Sequence, residues 1–417
     1  MANWQFNRMS KPSDARVALR YPNFLRHAGS RVLSVLASEM QAVAVGWQIY
    51  GLTHRPLDLG LVGLAQFLPG ILLFLVAGHA ADRFERKRIL EACAGGYALV
   101  SVLLFTFTVH GITAVYPFYI VLLLNGTARA FSMPASQSLL PSLVAEEHFA
   151  NAIAWGSSWF QAATILGPVV GGLIYGLAAS PMPVYALAAM LYVAAFFLYS
   201  RLDVTRIRPR KAAAPEMVWE GLHYIRRNKF VLGAISLDLF AVLLGGAVAL
   251  LPVYAREILA VGATGLGILR SAPGVGAILT ALVLAHRPLG KRQGTFMLCC
   301  VCGFGLFTVL FGLSRSVALS LVALALTGAC DMVSVVVRST MVQLSTPDHM
   351  RGRVSAVNMV FIGASNEVGQ FESGITAQWF GAVPAVVLGG IGTIVVVALW
   401  TWLFPELRQA PARVAVG

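Results

Sequence analysis

The chain has 417 residues, of which 58% are hydrophobic and only 12% charged, with a formal net charge of +13. With a mean hydropathy of +0.75, this falls outside soluble globular composition, in which roughly a quarter of residues are charged. A polytopic membrane protein is the class that remains. The positive balance does not point to nucleic acid, because the basic residues follow the loops between apolar runs.

A spanning helix needs about 20 apolar residues. About twelve such stretches are predicted, centred near Ala37, Phe67, Val100, Leu122, Ile165, Val193, Leu244, Ile278, Phe304, Ala325, Gly369 and Val395. Arg8, Lys11, Arg16 and Arg20 precede the first. Arg83 to Arg88 follow the second, Arg201 to Lys229 the sixth, Arg287, Lys291 and Arg292 the eighth, Arg351 and Arg353 the tenth, and Arg408 and Arg413 the last. The opposite loops hold little beyond Arg55, Arg256 and Arg315. By the positive-inside rule both termini are expected in the cytoplasm. The polar opening residues have no short apolar core with a cleavage site, so the first span is expected to direct insertion.

In chain order the expected parts are a cytoplasmic segment 1–22, a six-helix bundle 23–202, a linker 203–229, a second six-helix bundle 230–404 and a tail 405–417. The linker carries a short amphipathic helix around Trp219, Leu222 and Tyr224. An internal repeat supports the division. Gly63 to Gly70, with Pro69, is echoed 204 residues later by Gly267 to Gly274, with Pro273, and Tyr50 and Tyr254 keep that offset.

Charges inside spans are costly unless they face a cavity or a partner. Glu39, Asp238, Asp331, Glu367 and Glu372 are therefore candidates for carrying a proton, with Arg31, Arg129, Arg270 and Arg338 as candidate charge partners. A carboxyl group in a low-dielectric site holds its proton to higher pH, which suits a group loaded on one side and emptied on the other. Arg31, Ser34, Ser38, Gln41 and Gln48 recur at helical spacing and place a polar stripe on the first span, with Glu39 on its flank. Asp331 and Arg338 share a helix face but lie roughly 10 Å apart along it. Glu367 and Glu372 point about 140° apart and must address different neighbours.

No phosphate-binding Gly-x-x-x-x-Gly-Lys-Ser/Thr loop occurs, so no nucleotide or other cofactor is expected and an ion gradient is the natural energy source. Cys93, Cys299, Cys300, Cys302 and Cys330 all fall in spans, and no His or carboxylate lies within two helical turns of Cys299-Cys300-x-Cys302, so no metal is expected. The eight histidines are scattered singly near span ends, which disfavours a membrane-embedded enzyme. That class stays a remote alternative.

Gly78, Asp82, Arg83, Arg86 and Lys87 match the signature loop Gly-x-x-x-Asp-Arg-x-Gly-Arg-Arg, with Glu85 in place of its second glycine. On these residues the whole chain resembles the major facilitator superfamily. The resemblance implies twelve transmembrane helices in two pseudo-symmetric bundles, alternating access, and a cytoplasmic latch in which Asp82 meets the eleventh span near Arg353. Asn125 to Arg129 is similar to the buried-arginine motif of that family. Gly167, Pro168, Gly171 and Gly172 are similar to its antiporter motif, which implies export. The phrases Leu61 to Pro69, Asp82 to Arg86 and Glu220 to Leu222 resemble the branch of enterobactin exporters and macrolide efflux pumps.

The resulting expectation is a non-enzymatic, monomeric, proton-coupled exporter of a small amphipathic molecule, siderophore or drug in a bacterial inner membrane. An uptake symporter or facilitator of the same fold is the alternative. Trp47, Gln48, Gln66, Trp159 and Phe240 are expected to offer the substrate an aromatic and hydrogen-bonding surface. Its partners are a small-molecule substrate, protons and the lipid bilayer.

Overall fold

The computed structural model describes residues 16–203, 215–286 and 293–408. Outside them lie Arg8, Lys11, Arg206 to Lys211, Arg287, Lys291, Arg292 and Arg413, and the side chain of Asp82 is likewise not among those described. All regular structure among the described residues is helical. The helices are α1 (Pro22–Thr53), α2 (Pro56–Leu72), α3 (Phe74–Arg83), α4 (Arg86–Val109), α5 (Tyr116–Leu139), α6 (Phe149–Ala178) and α7 (Met182–Ser200). After them come α8 (Pro215–Arg227), α9 (Lys229–Leu244) and α10 (Leu251–Val253), the last continued by a π-turn at Tyr254–Ile258. The series ends with α11 (Gly262–His286), α12 (Gln293–Leu313), α13 (Val317–Leu344), α14 (Asp348–Phe380) and α15 (Ala382–Leu403).

Local chemistry sets several boundaries. Pro22 opens α1 with its φ already helical, where the missing N–H costs nothing. His54 ends the helix in the left-handed region at φ 53° and turns the chain into Pro56 of α2. The Asn228 side chain accepts a hydrogen bond from the Val231 N–H at 3.2 Å and so caps α9. The second predicted span is broken. Pro69 cannot donate the helical bond its position requires, and α2 gives way at Leu73 to α3.

Nine helical segments among the described residues are long and apolar enough to cross a membrane. The predicted stretches at Phe67, Leu122 and Gly369 fall in α2, α5 and α14, which are outside that set. The first is short, at 17 residues. The other two are long, at 24 and 33 residues, but polar: α5 carries Asn125 and Arg129, and α14 carries Asn366, Glu367, Gln370 and Glu372.

Helices α1 and α4 to α7 pack chiefly on one another, as do α9, α11, α12, α13 and α15, while α2 and α14 each divide their contacts between the two groups. Extensive contact between the groups is made by α6 with α11 and by α2 with α14. One apolar cluster mixes the groups, joining Val43, Tyr50 and Leu59 to Leu250, Tyr254, Leu266 and Val386. It closes the end where α1 stops and α2 begins. At the other end α3 packs mainly on α5, α2 and α4, and its principal contacts do not reach the second group. Lipid is as apolar as a leucine core, so close packing rather than water exclusion holds such helices together.

Candidate transport site

The fold sorts six of the nine charges singled out in the sequence into three pairs. Glu39 of α1 lies with Oε2 3.6 Å from Nε of Arg270 on α11, so the pair joins the two helix groups. Arg129 of α5 places Nη1 3.0 Å from Oε1 of Glu367 on α14, again across the groups. The second carboxylate oxygen of Glu367 accepts from Gln370 at 3.2 Å. Beside this pair Asn125 donates to Gln66 at 3.3 Å, tying α5 to α2.

Asp238 and Arg338 form a third pair, and it differs in kind. Both belong to the second group, on α9 and α13, and their side chains are only 9% and 3% exposed. Arg31 faces no carboxylate within ion-pair distance among the described residues; its guanidinium lies 4.9 Å from the centre of the Phe160 ring. Glu372 accepts a hydrogen bond from Thr376 one turn along its own helix at 2.8 Å. Asp331 is half-buried on α13.

The Gly-Pro-x-x-Gly-Gly segment of α6 is a seam with two sides. A Cβ at Gly167 would stand 2.5 Å from Cβ of Glu39, and one at Gly171 would stand 2.7 Å from Cα of Met40, so this side presses on α1. A Cβ at Gly172 would stand 2.6 Å from the Ala263 carbonyl oxygen, and Gly267 abuts the Pro168 carbonyl, so the other side presses on α11. The segment therefore sets the spacing of the helices that carry Glu39 and Arg270.

The aromatic and amide residues expected to line a substrate surface do not share one site. Gln48 donates to Thr108 at 3.1 Å and accepts from Tyr185 at 2.7 Å, which binds α1 to α4 and α7. Trp159 stacks on Phe24 within a packed cluster of the first group. Phe240 leans on Trp400 of α15. Trp47 sits under Arg256, whose Cζ is 5.1 Å from the ring centre. Beside it the Tyr50 hydroxyl donates to Glu257. Arg256 was expected in a loop and Glu257 drew no expectation; the Tyr50 and Tyr254 repeat was the available signal.

In the charged turn, Arg86 donates to the Ser138 carbonyl at 2.7 Å, and Lys87 to the carbonyls of Ser200 and Leu202 at 2.7 and 2.8 Å. Gly78 has open space around it and Arg83 is exposed. Arg353, expected near Asp82, pairs with Glu220 of α8.

With this geometry established, a family profile described as a transmembrane secretion effector matches residues 20–413. The chain belongs to the major facilitator superfamily. Among major facilitator relatives, the enterobactin exporter EntS of Shigella boydii serotype 4 (strain Sb227) is 26% identical over 404 residues, covering 95% of this chain and 96% of that protein. A bacterial homologue of the human lysosomal transporter Spinster, solved in an inward-facing and occupied conformation, superposes with a TM-score of 0.71 at 13% identity, covering 97% of this chain and 100% of that one. A D-xylose–proton symporter superposes with a TM-score of 0.70 at 13% identity, covering 94% and 99%. These structural likenesses speak to the fold. The chain is thus a multi-pass membrane transporter by family.

Proposed function

We propose that this chain is a twelve-span secondary transporter of a bacterial inner membrane that exports a small amphipathic molecule in exchange for protons. In this reading residues 23–202 and 230–404 are two six-helix bundles rocking about a central site, and both termini are cytoplasmic. The reading rests on one observation: Glu39–Arg270 and Arg129–Glu367 are ion pairs that each join a helix of one bundle to a helix of the other. A proton on either carboxylate removes the charge attraction across the seam, so binding a proton and separating the bundles share one free energy. Loss of that proton on the other side restores the pair.

The basic loops support placing the end at α3 toward the cytoplasm, and the apolar cluster that joins the groups lies at the opposite end, so we read the conformation described as inward-open. Export is supported by likeness to an enterobactin exporter. Uptake by symport or facilitation is the second reading, since the same fold occurs in a D-xylose–proton symporter.

Vesicles test both. With enterobactin and a macrolide as probes, everted vesicles are expected to accumulate substrate when a proton gradient is imposed, and Glu39→Gln to slow this roughly 5- to 150-fold, the usual span of a coupling energy. Gradient-driven accumulation confined to right-side-out vesicles overturns export. A Glu39→Gln variant with undiminished coupling overturns the role of the pair.

A further inference from the structure

Beside Arg31 lies a cavity of about 110 Å³ between α1 and α6, lined by Phe24, His27, Arg31, Gly156, Ser157 and Phe160 among others. Two of these residues lack the partners that a membrane interior demands. Arg129, Arg270 and Arg338 each face a carboxylate, whereas Arg31 has only the face of Phe160 among the described residues. His27 is 2% exposed, and its Nδ1 has no hydrogen-bond partner among the described residues. Its Nε2 lies 3.4 Å from the Ser136 hydroxyl. With that hydroxyl donating to Nε2, the ring proton sits on Nδ1, an unpartnered donor sealed behind the cavity wall. The Arg31 guanidinium and the Ser157 hydroxyl line the hollow without an acceptor charge, and an anion supplies it.

We propose that this cavity is a binding subsite for an anionic group, a carboxylate or an acidic phenol borne on a ring, of the transported molecule. This rests on the transporter reading but not on proton coupling or direction. The volume suits one such group, since pockets for whole drug-sized ligands run to about 300 Å³ or more. Phe160 and Phe24 give the attached ring an apolar wall, and the cation over Phe160 already shows how that wall and a charge sit together. Arg31 is eight residues from Glu39 on the same helix, about 12 Å along its axis. A substrate held by its anionic group thus extends toward the Glu39–Arg270 pair.

The test is a binding measurement on the full chain in phosphatidylcholine nanodiscs, with benzoate and its uncharged isostere benzamide as probes, read by calorimetry. Wild type is expected to bind benzoate more tightly than benzamide. Arg31→Gln is expected to weaken benzoate roughly tenfold or more, as loss of a charged hydrogen bond does, and Arg31→Lys to retain most of the preference. Thermal unfolding separates a lost subsite from a lost fold, and Arg31→Lys keeps the charge if Arg31→Gln fails to fold. Benzoate that binds no better than benzamide, or binds Arg31→Gln as well as wild type, overturns the proposal. Displacement of benzoate by phosphatidylglycerol added to the nanodiscs assigns the cavity to a lipid phosphate instead and overturns the substrate assignment. None of these readouts involves transport, so they stand whether or not Glu39 carries a proton.

Discussion

Asp238 and Arg338 are nearly sealed from solvent, and a sealed charge is worth little while paired but costly once alone. Asp238→Asn is expected to lower stability by about 3–5 kcal/mol, while Asp238→Leu combined with Arg338→Met costs less than that single change. Thermal unfolding of wild type and the two variants checks this; equal losses in both variants would show that the charge is not what matters. Glu372, bonded within its own helix, behaves oppositely. Glu372→Gln is expected to cost about 1 kcal/mol or less and to leave gradient-driven transport in vesicles intact. These differences were only partly legible in the sequence. That Glu39, Asp238 and Glu367 are expensive in an apolar run can be read from composition. Which arginine each meets depends on the rotation of helices from distant parts of the chain, and no local pattern carries it. His27 was read as one of several scattered histidines, because its isolation inside a cavity is visible only after α1 and α6 are packed.

Along α6 the glycines are not equivalent. Gly171 has no room for a Cβ beside the Met40 backbone, whereas Gly156 has nothing within 4 Å. Gly171→Ala is expected to cost about 1–3 kcal/mol through forced separation from α1. Gly156→Ala should instead gain up to about 1 kcal/mol from helix propensity. Thermal unfolding of both variants decides, and a Gly171→Ala protein as stable as wild type removes the seam from the account. The motif was visible as a string of small residues, but its two-sidedness was not. The break between α2 and α3 was likewise hidden, since Pro69 marks a weak point without saying whether packing will hold the helix straight through it.

The two helix groups meet where α1 stops and α2 begins, while the principal contacts of α3 at the other end stay within the first group. Gly46 of α1 and Pro252 of α10 lie at the closed end, where a Cβ on Gly46 would be 3.3 Å from Cγ of Pro252. In a background with the native cysteines replaced, Gly46→Cys with Pro252→Cys is expected to form a disulfide that stops transport, with activity returning on reduction. Transport that continues while the bond is intact would mean that this end need not open. An expectation of two alike halves was legible in the repeat of Gly63 to Gly70. The conformation was not, because alternative states of a transporter differ by only a few kcal/mol and composition is blind to that margin.

The ion pair between α5 and α14 also bears on how the chain is made. Its partners are 238 positions apart, so at 5–20 residues per second a ribosome leaves Arg129 waiting roughly 10–50 s for Glu367. Through that interval a cation stands in a helix too polar to insert on its own apolarity, and the nascent chain must shelter it among its earlier helices or at the lipid headgroups. Biogenesis, and not transport alone, therefore selects what may stand at position 129.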